Sequence, residues 1–197
     1  MKFNGKTLFA FLEMTGADEE AYEAGKTAEW GAFWDAYQML GTRRDYASAF
    51  TGNGWNDVTF KPKYDIIATG NVYGVFSYGL MSEINVVLDF TGATSIGSAF
   101  ASCNKLKTVA HFKPPYNLAV SFSKSGCPKL ENLTIESEIG TTFTANAPLL
   151  THKSLMSIIN HLAIVSTAQT LTLGETNLAK LTDTEKAIAT EKGWTLV

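Results

Sequence analysis

Two stretches of this chain, starting fifty residues apart at positions 46 and 96, are nearly the same. Tyr46-Ala-Ser-Ala-Phe50 leads through Trp55 and Val58 to Phe60-Lys-Pro-Lys-Tyr64-Asp-Ile66. Ile96-Gly-Ser-Ala-Phe100 leads through Leu106 and Val109 to Phe112-Lys-Pro-Pro-Tyr116-Asn-Leu118. An echo at such a distance predicts stacked structural units, because a short unit buries its apolar face only against a neighbour. Aligning on the leading phenylalanine gives Phe50, Phe76, Phe100, Phe122 and Phe143, at spacings of 26, 24, 22 and 21. The reading is about five irregular repeats of 20–26 residues, with the 72–90 unit between the two best copies.

Within the units, further apolar anchors recur at Trp55/Val58/Phe60, Ile84/Val87, Leu106/Val109 and Leu130/Leu133/Ile135. Val58-Thr59-Phe60, Leu133-Thr134-Ile135 and Leu171-Thr172-Leu173 alternate with the period of a strand that buries one face. Each unit therefore reads as a phenylalanine-anchored turn, a corner of small residues and a short strand. On this alignment Phe60 and Phe112 end neighbouring strands, and Phe50 and Phe100 point into one core. Cys103 and Cys127 sit three residues before the anchors Leu106 and Leu130. Stacked strands lie about 4.8 Å apart, within the Cα separation a disulfide spans. The spacing therefore permits a bridge between them.

The run Ile96-Gly97-x-Ala99-Phe100-x-x-Cys103-x-x-Leu106-x-x-Val109 resembles the BspA-like (treponemal-type) leucine-rich repeat, whose pattern is I-G-x-x-A-F-x-x-C-x-x-L-x-x-I. Phe122, Cys127, Leu130, Leu133 and Ile135 follow the second half of that pattern, and the resemblance covers about residues 46 to 173. His111 stands where the pattern has an aliphatic residue. The resemblance implies an α/β leucine-rich-repeat solenoid and, because the corner cysteine of this repeat class is a small buried thiol, free buried Cys103 and Cys127 as the preferred reading, with a bridge as the alternative. A further resemblance is to proteins encoded in phage and prophage tail regions. Its residues are Phe33-Trp34-Asp35-Ala36-Tyr37-Gln38, Gly54-Trp55-Asn56-Asp57, Phe60-Lys-Pro-Lys-Tyr64-Asp65, Ser154 to Leu162 and Thr170 to Leu181. That family implies a tail-associated setting and carries over no activity.

The flanks divide the chain into residues 1–45, the repeats at 46–150 and a C-terminal capping region at 151–197. Asn4-Gly5 suits a hairpin turn, and Leu8 to Met14 reads as a strand. Asp18-Glu19-Glu20 opens a helix whose stripe of Tyr22, Trp30, Phe33, Trp34, Tyr37 and Leu40 ends at Gly41. This 18–40 segment is either a cap on the stack, the preferred reading, or a helix through which the chain forms a homo-oligomer or joins an assembly. In the C-terminal region, residues 153–164 carry Leu155, Ile158, Ile159, Leu162 and Ala163 on one helical side. Thr182-Asp-Thr-Glu185 has the form of a capping box, Gly193 stops its helix, and Trp194 to Val197 supplies an edge strand.

Chemistry is sparse. Among 197 residues there are three histidines, His111, His152 and His161, and no Cys, Asp or Glu joins them at ligand spacing. The sequence has no phosphate loop, nucleophile elbow or zinc-helix motif. A net charge of −3 with 18% charged residues gives no electrostatic footprint for nucleic acid or anionic membrane. No apolar run reaches a membrane span, and Thr7 to Leu12 is too short for a secretory leader. No metal or other cofactor is expected.

The functional expectation is a non-enzymatic recognition or structural protein, located in the virion or in the host cytoplasm. The outward strand positions Thr59, Ala110, Thr134 and Thr172 form a neutral row, with Glu136 beside it in a small acidic patch of Glu131, Glu136 and Glu138. Five strands of about four residues offer roughly 300 Å² of sheet, against the ~800 Å² per partner of a standard interface. Tight binding to a protein or cell-surface glycan therefore calls for loops or for several copies acting together. The alternatives are a cytoplasmic module that binds a host factor and, less favoured, a glycan-cleaving enzyme, which needs a carboxylate pair held in a cleft.

Overall fold

The computed structural model describes residues 46–48, 50 and 65–197, together with the strand at Thr59–Phe60 without its side chains. The expected hairpin, the 18–40 helix, Trp55 and Val58 lie outside the described residues.

Among the described residues, nine short strands make two wholly parallel sheets. The first contains β1 (Thr59–Phe60), β2 (Ile66–Ile67), β3 (Glu83–Asp89), β4 (Thr108–Lys113) and β6 (Asn132–Ile135), in the order β1-β3-β4-β6, with β2 also on β3. The second contains β5 (Val120–Ser121), β7 (Phe143–Thr144), β8 (Gln169–Thr172) and β9 (Trp194–Leu196), paired in that order. Parallel strands cannot be joined by tight hairpins, so each unit must travel around the core before its next strand pairs.

The core follows from the repeat. Phe50, Phe76, Phe100, Phe122 and Phe143 form one ladder, with ring centroids 5.4, 5.7, 4.4 and 6.1 Å apart along it. Phe112 enters from β4 and meets Phe100 and Phe122 edge-on at 5.6 Å, an arrangement aromatic quadrupoles favour. Phe50 and Phe100 thus belong to the same buried cluster.

The register between strands differs from the sequence alignment. Phe60 and Val109 are both partners of Ile84, while Ile66 and Phe112 are both partners of Leu88. Phe60 is therefore equivalent to Val109, and Phe112 to Ile66; β3 lies between β1 and β4. The reason is that the two inward anchors of each strand draw together along the stack. Ile84 and Leu88 are four residues apart, Val109 and Phe112 three, Leu133 and Ile135 two, and the register slips at each step.

The wall opposite the strands is built differently in the first three units. Ser48, Gly74 and Ser98, each two residues before a ladder phenylalanine, have φ of 56°, 62° and 59°. Tyr78 and Ser102, two residues after Phe76 and Phe100, have φ of 58° and 57°. These left-handed residues bend the chain so that alternate N–H groups reach the next unit, Phe50 N to Val75 O at 2.8 Å and Phe76 N to Ala99 O at 2.9 Å. In the fourth unit the position two residues before Phe122 is Val120, a β-branched residue, and the wall becomes the extended strand β5. This second sheet is absent from the sequence expectation.

The first sheet ends on a helix. In α1 (His152–Asn160), Ser154 Oγ and Ser157 Oγ accept the N–H groups of Leu133 and Ile135 at 2.9 Å each. Two serines three residues apart, on one helical face, thereby replace the carbonyls of a missing strand. Changing both to Ala leaves two edge N–H groups without acceptors, and should cost about 1–3 kcal/mol for each in urea unfolding. Beyond α1, α2 (Glu175–Leu178) and α3 (Asp183–Glu191) cover the stack. The box of Thr182 and Glu185 opens α3, and Gly193 at φ 90° turns the chain into β9. Trp194 Nε1 donates to Ala163 O at 2.9 Å, and Lys192 Nζ reaches Asn160 O at 2.9 Å, tying the last strand to the end of α1.

Candidate functional site

The outer face of the first sheet is the surface that the repeat presents most regularly. Strand alternation buries Ile84, Val86 and Leu88 on β3 and turns Glu83, Asn85, Val87 and Asp89 outward. The parallel register then aligns outward residues in rows: Glu83, Thr108 and Asn132 in one, and Ile67, Asp89 and Lys113 in another.

Of the expected recognition residues, Ala110 on β4 and the exposed Thr134 on β6 belong to this face. Thr59 belongs to the same sheet through β1, its side chain lying outside the described residues. Glu136 follows β6 directly, its N–H donating to Phe112 O at 2.8 Å. Thr172 does not join them. It lies on β8 in the second sheet and pairs with Thr144, because the chain has switched walls before it arrives.

The face is also charged rather than neutral. His111 Nδ1 stands 2.5 Å from Glu136 Oε1, and Lys113 Nζ stands 3.4 Å from Asp89 Oδ2. The slip between Val109 and Phe112 makes this possible, since Phe112 takes the inward place and leaves His111 in solvent. Burial raises the Asp89 pKa, but the Thr91 hydroxyl and N–H, with Lys113, outweigh it and hold the carboxyl below its ordinary value. With 22–46% of each side chain in water, the pairs contribute little to stability. Their effect is to hold four polar groups in a fixed pattern one strand apart.

The other two histidines and the two cysteines make contacts within the fold. His152 Nε2 meets Glu185 Oε1 at 2.9 Å, joining the starts of α1 and α3, and His161 Nδ1 lies 2.8 Å from Ser157 O in its own helix. Cys103 and Cys127 are free and buried; their Sγ atoms donate to Phe76 O and Phe100 O, one unit back. The neighbouring Cys103 and burial raise the Cys127 pKa, so its thiol stays protonated. Among the described residues no group of three or more His, Cys, Asp and Glu could hold a metal ion, and no helix is long and apolar enough to cross a membrane.

Comparisons with protein-family models, curated proteins and solved structures find no match.

Proposed function

We propose that this chain is a non-enzymatic recognition protein of leucine-rich-repeat type, similar to BspA-like repeats and carried in the tail region of a phage particle, where the outer face of its first sheet meets the host. The observation behind this reading is the outer face of the parallel sheet, with Asp89 and Lys113 in register on neighbouring strands and His111 reaching diagonally to Glu136. A partner of repeating structure, a protein surface or a cell-surface glycan, can be matched by such rows. The buried phenylalanine ladder at the repeat spacing supports the leucine-rich-repeat part of the proposal.

The face is small, so affinity has to come from many copies on one particle. Lys113→Glu with Thr134→Arg reverses one charge and blocks the face without touching a buried position. Particles carrying this variant should adsorb to host cells at least about tenfold less well, through loss of multivalent contact. Unchanged adsorption would remove the face from host contact. Mass spectrometry of purified particles tests the setting, and absence of the chain would remove it from the virion.

A further inference from the structure

The ladder of hydrogen bonds along the turn wall is interrupted at one level. Tyr46, Ser48 and Phe50 donate to Asn71, Tyr73 and Val75, and Val72, Gly74, Phe76 and Tyr78 donate to Ser95, Gly97, Ala99 and Ala101. By the same alternation Ser98, Phe100 and Ser102 should donate to the fourth unit. Among the described residues, none of their N–H groups has an acceptor. Phe100 is only 1% exposed, so its amide is a buried donor without a protein partner, a state native structures rarely leave uncompensated.

The interruption has a cause in the fold. The third unit keeps the left-handed turn and the fourth adopts strand β5, so the two walls diverge at the rim. Inside, Phe100 and Phe122 remain in contact at 4.4 Å. Between the rims lies a cleft of about 380 Å³, near the lower end of the size range of small-ligand sites.

The lining carries hydroxyls from Ser98, Ser102, Ser121, Ser123 and Ser125, with Gly97 at one edge, and no charged side chain. Ser123 is partly engaged, contacting Ser125 Oγ at 3.2 Å and accepting from Gly126 N at 2.9 Å. The ring of Tyr73 lies across Gly97, whose missing Cβ would approach it to 3.2 Å, and Tyr73 is 52% exposed. The site therefore combines unpaired amide donors with rotatable hydroxyls, and Tyr73 packs behind Gly97 without lining the cleft.

We infer that this cleft binds a neutral saccharide, with the amides of Ser98, Phe100 and Ser102 donating to sugar oxygens and the serines completing the hydrogen bonds. A polyhydroxylated ring offers acceptors and donors in comparable number, which suits amides and hydroxyls together. An anionic ligand would find no cation on the lining. The cleft stands on a different wall from the outer face of the first sheet, and the inference does not depend on that face binding anything.

The test is a titration of the ¹⁵N-labelled full chain with maltose, cellobiose, lactose and diacetylchitobiose, and separately with inorganic phosphate, observing the backbone amides. At least one disaccharide should move the Ser98, Phe100 and Ser102 signals in a saturable manner at millimolar concentration. Ala119→Trp, which fills the cleft from the edge beside β5, should weaken that binding about tenfold or more. Ser125→Trp, in the exposed turn that follows Phe122 in the same unit, gives a second obstruction if the first variant does not fold. Glu191→Gln, at the exposed end of α3, should leave the titration unchanged. No shift with any of the four sugars would overturn the inference, as would equal shifts with phosphate or undiminished binding in a folded obstructed variant.

Discussion

Replacing Phe100 by Ala should cost about 4 kcal/mol, within the range for removing a buried phenylalanine. The position, like Phe122, meets three other rings. Its ring contacts Phe76 at 5.7 Å, Phe122 at 4.4 Å and Phe112 edge-on at 5.6 Å. It also closes the junction where the turn wall gives way to a strand, so little around it can collapse to fill the space. Aromatic pairs add about 0.5–1.5 kcal/mol each beyond area burial. With a slope of about 2 kcal/mol per molar, the midpoint of urea unfolding should fall by about 2 M. Phe143→Ala, at the end of the ladder with one ring neighbour at 6.1 Å, should fall by less. Equal losses at the two positions would show that the rings act as separate core residues rather than as a ladder.

Asn177→Ala should be nearly as damaging, although it removes no apolar surface. Asn177 is fully buried, and its amide Nδ2 lies 3.1, 2.9 and 3.1 Å from the carbonyls of Ala145, Ala147 and Leu173. Its Oδ1 accepts from Lys180 Nζ at 2.9 Å, and Lys180 in turn reaches Pro148 O and Leu150 O. One side chain thus fastens the chain after β7 to the segment that follows β8. Leaving buried acceptors unmade costs about 1–3 kcal/mol each, so a loss of about 3 kcal/mol in urea unfolding is expected. Asn177→Asp should be worse, since it removes the donors and places a carboxylate against carbonyl oxygens. A loss below about 1 kcal/mol for both variants would mean that water replaces the side chain without penalty.

How far these features can be read from the sequence depends on the residue class. The phenylalanine ladder is legible because one large side chain recurs at nearly constant spacing and has no other use in such a unit. The capping box at Thr182 is legible because its geometry is local. The strand register is not, because the separation of inward anchors shrinks from unit to unit, and a slip of one residue exchanges the two faces. That slip explains why Phe60 aligned with Phe112 by sequence and with Val109 in space. The second sheet escaped because β5 and β7 have two residues each, too few to show an alternation. Thr172 was misassigned for that reason.

On the outer face, Ala110, Thr134 and Glu136 were legible as outward residues, whereas the pairing of His111 with Glu136 and of Lys113 with Asp89 was not. Those partners lie 25 and 24 residues apart, and only the register brings them together. The cleft had no sequence signal. It arises where Ser98 and Ser102 adopt positive φ, a conformation that serine seldom takes and that a sequence does not announce. Asn177 likewise reads as an ordinary polar residue; only its position beneath three carbonyls gives it a role.

Along the turn wall, successive units are joined by rungs of backbone hydrogen bonds that fail at one level, between the third unit and the fourth, while β4 and β6 stay paired on the strand side. Residue-resolved amide hydrogen exchange tests it most directly. Val72, Gly74, Phe76 and Phe122 should be strongly protected, each donating to the next unit, while Ser98, Phe100 and Ser102 should exchange much faster. Protection at Ser98, Phe100 and Ser102 equal to that of Gly74 and Phe76 would mean an unbroken ladder, and would contradict the account.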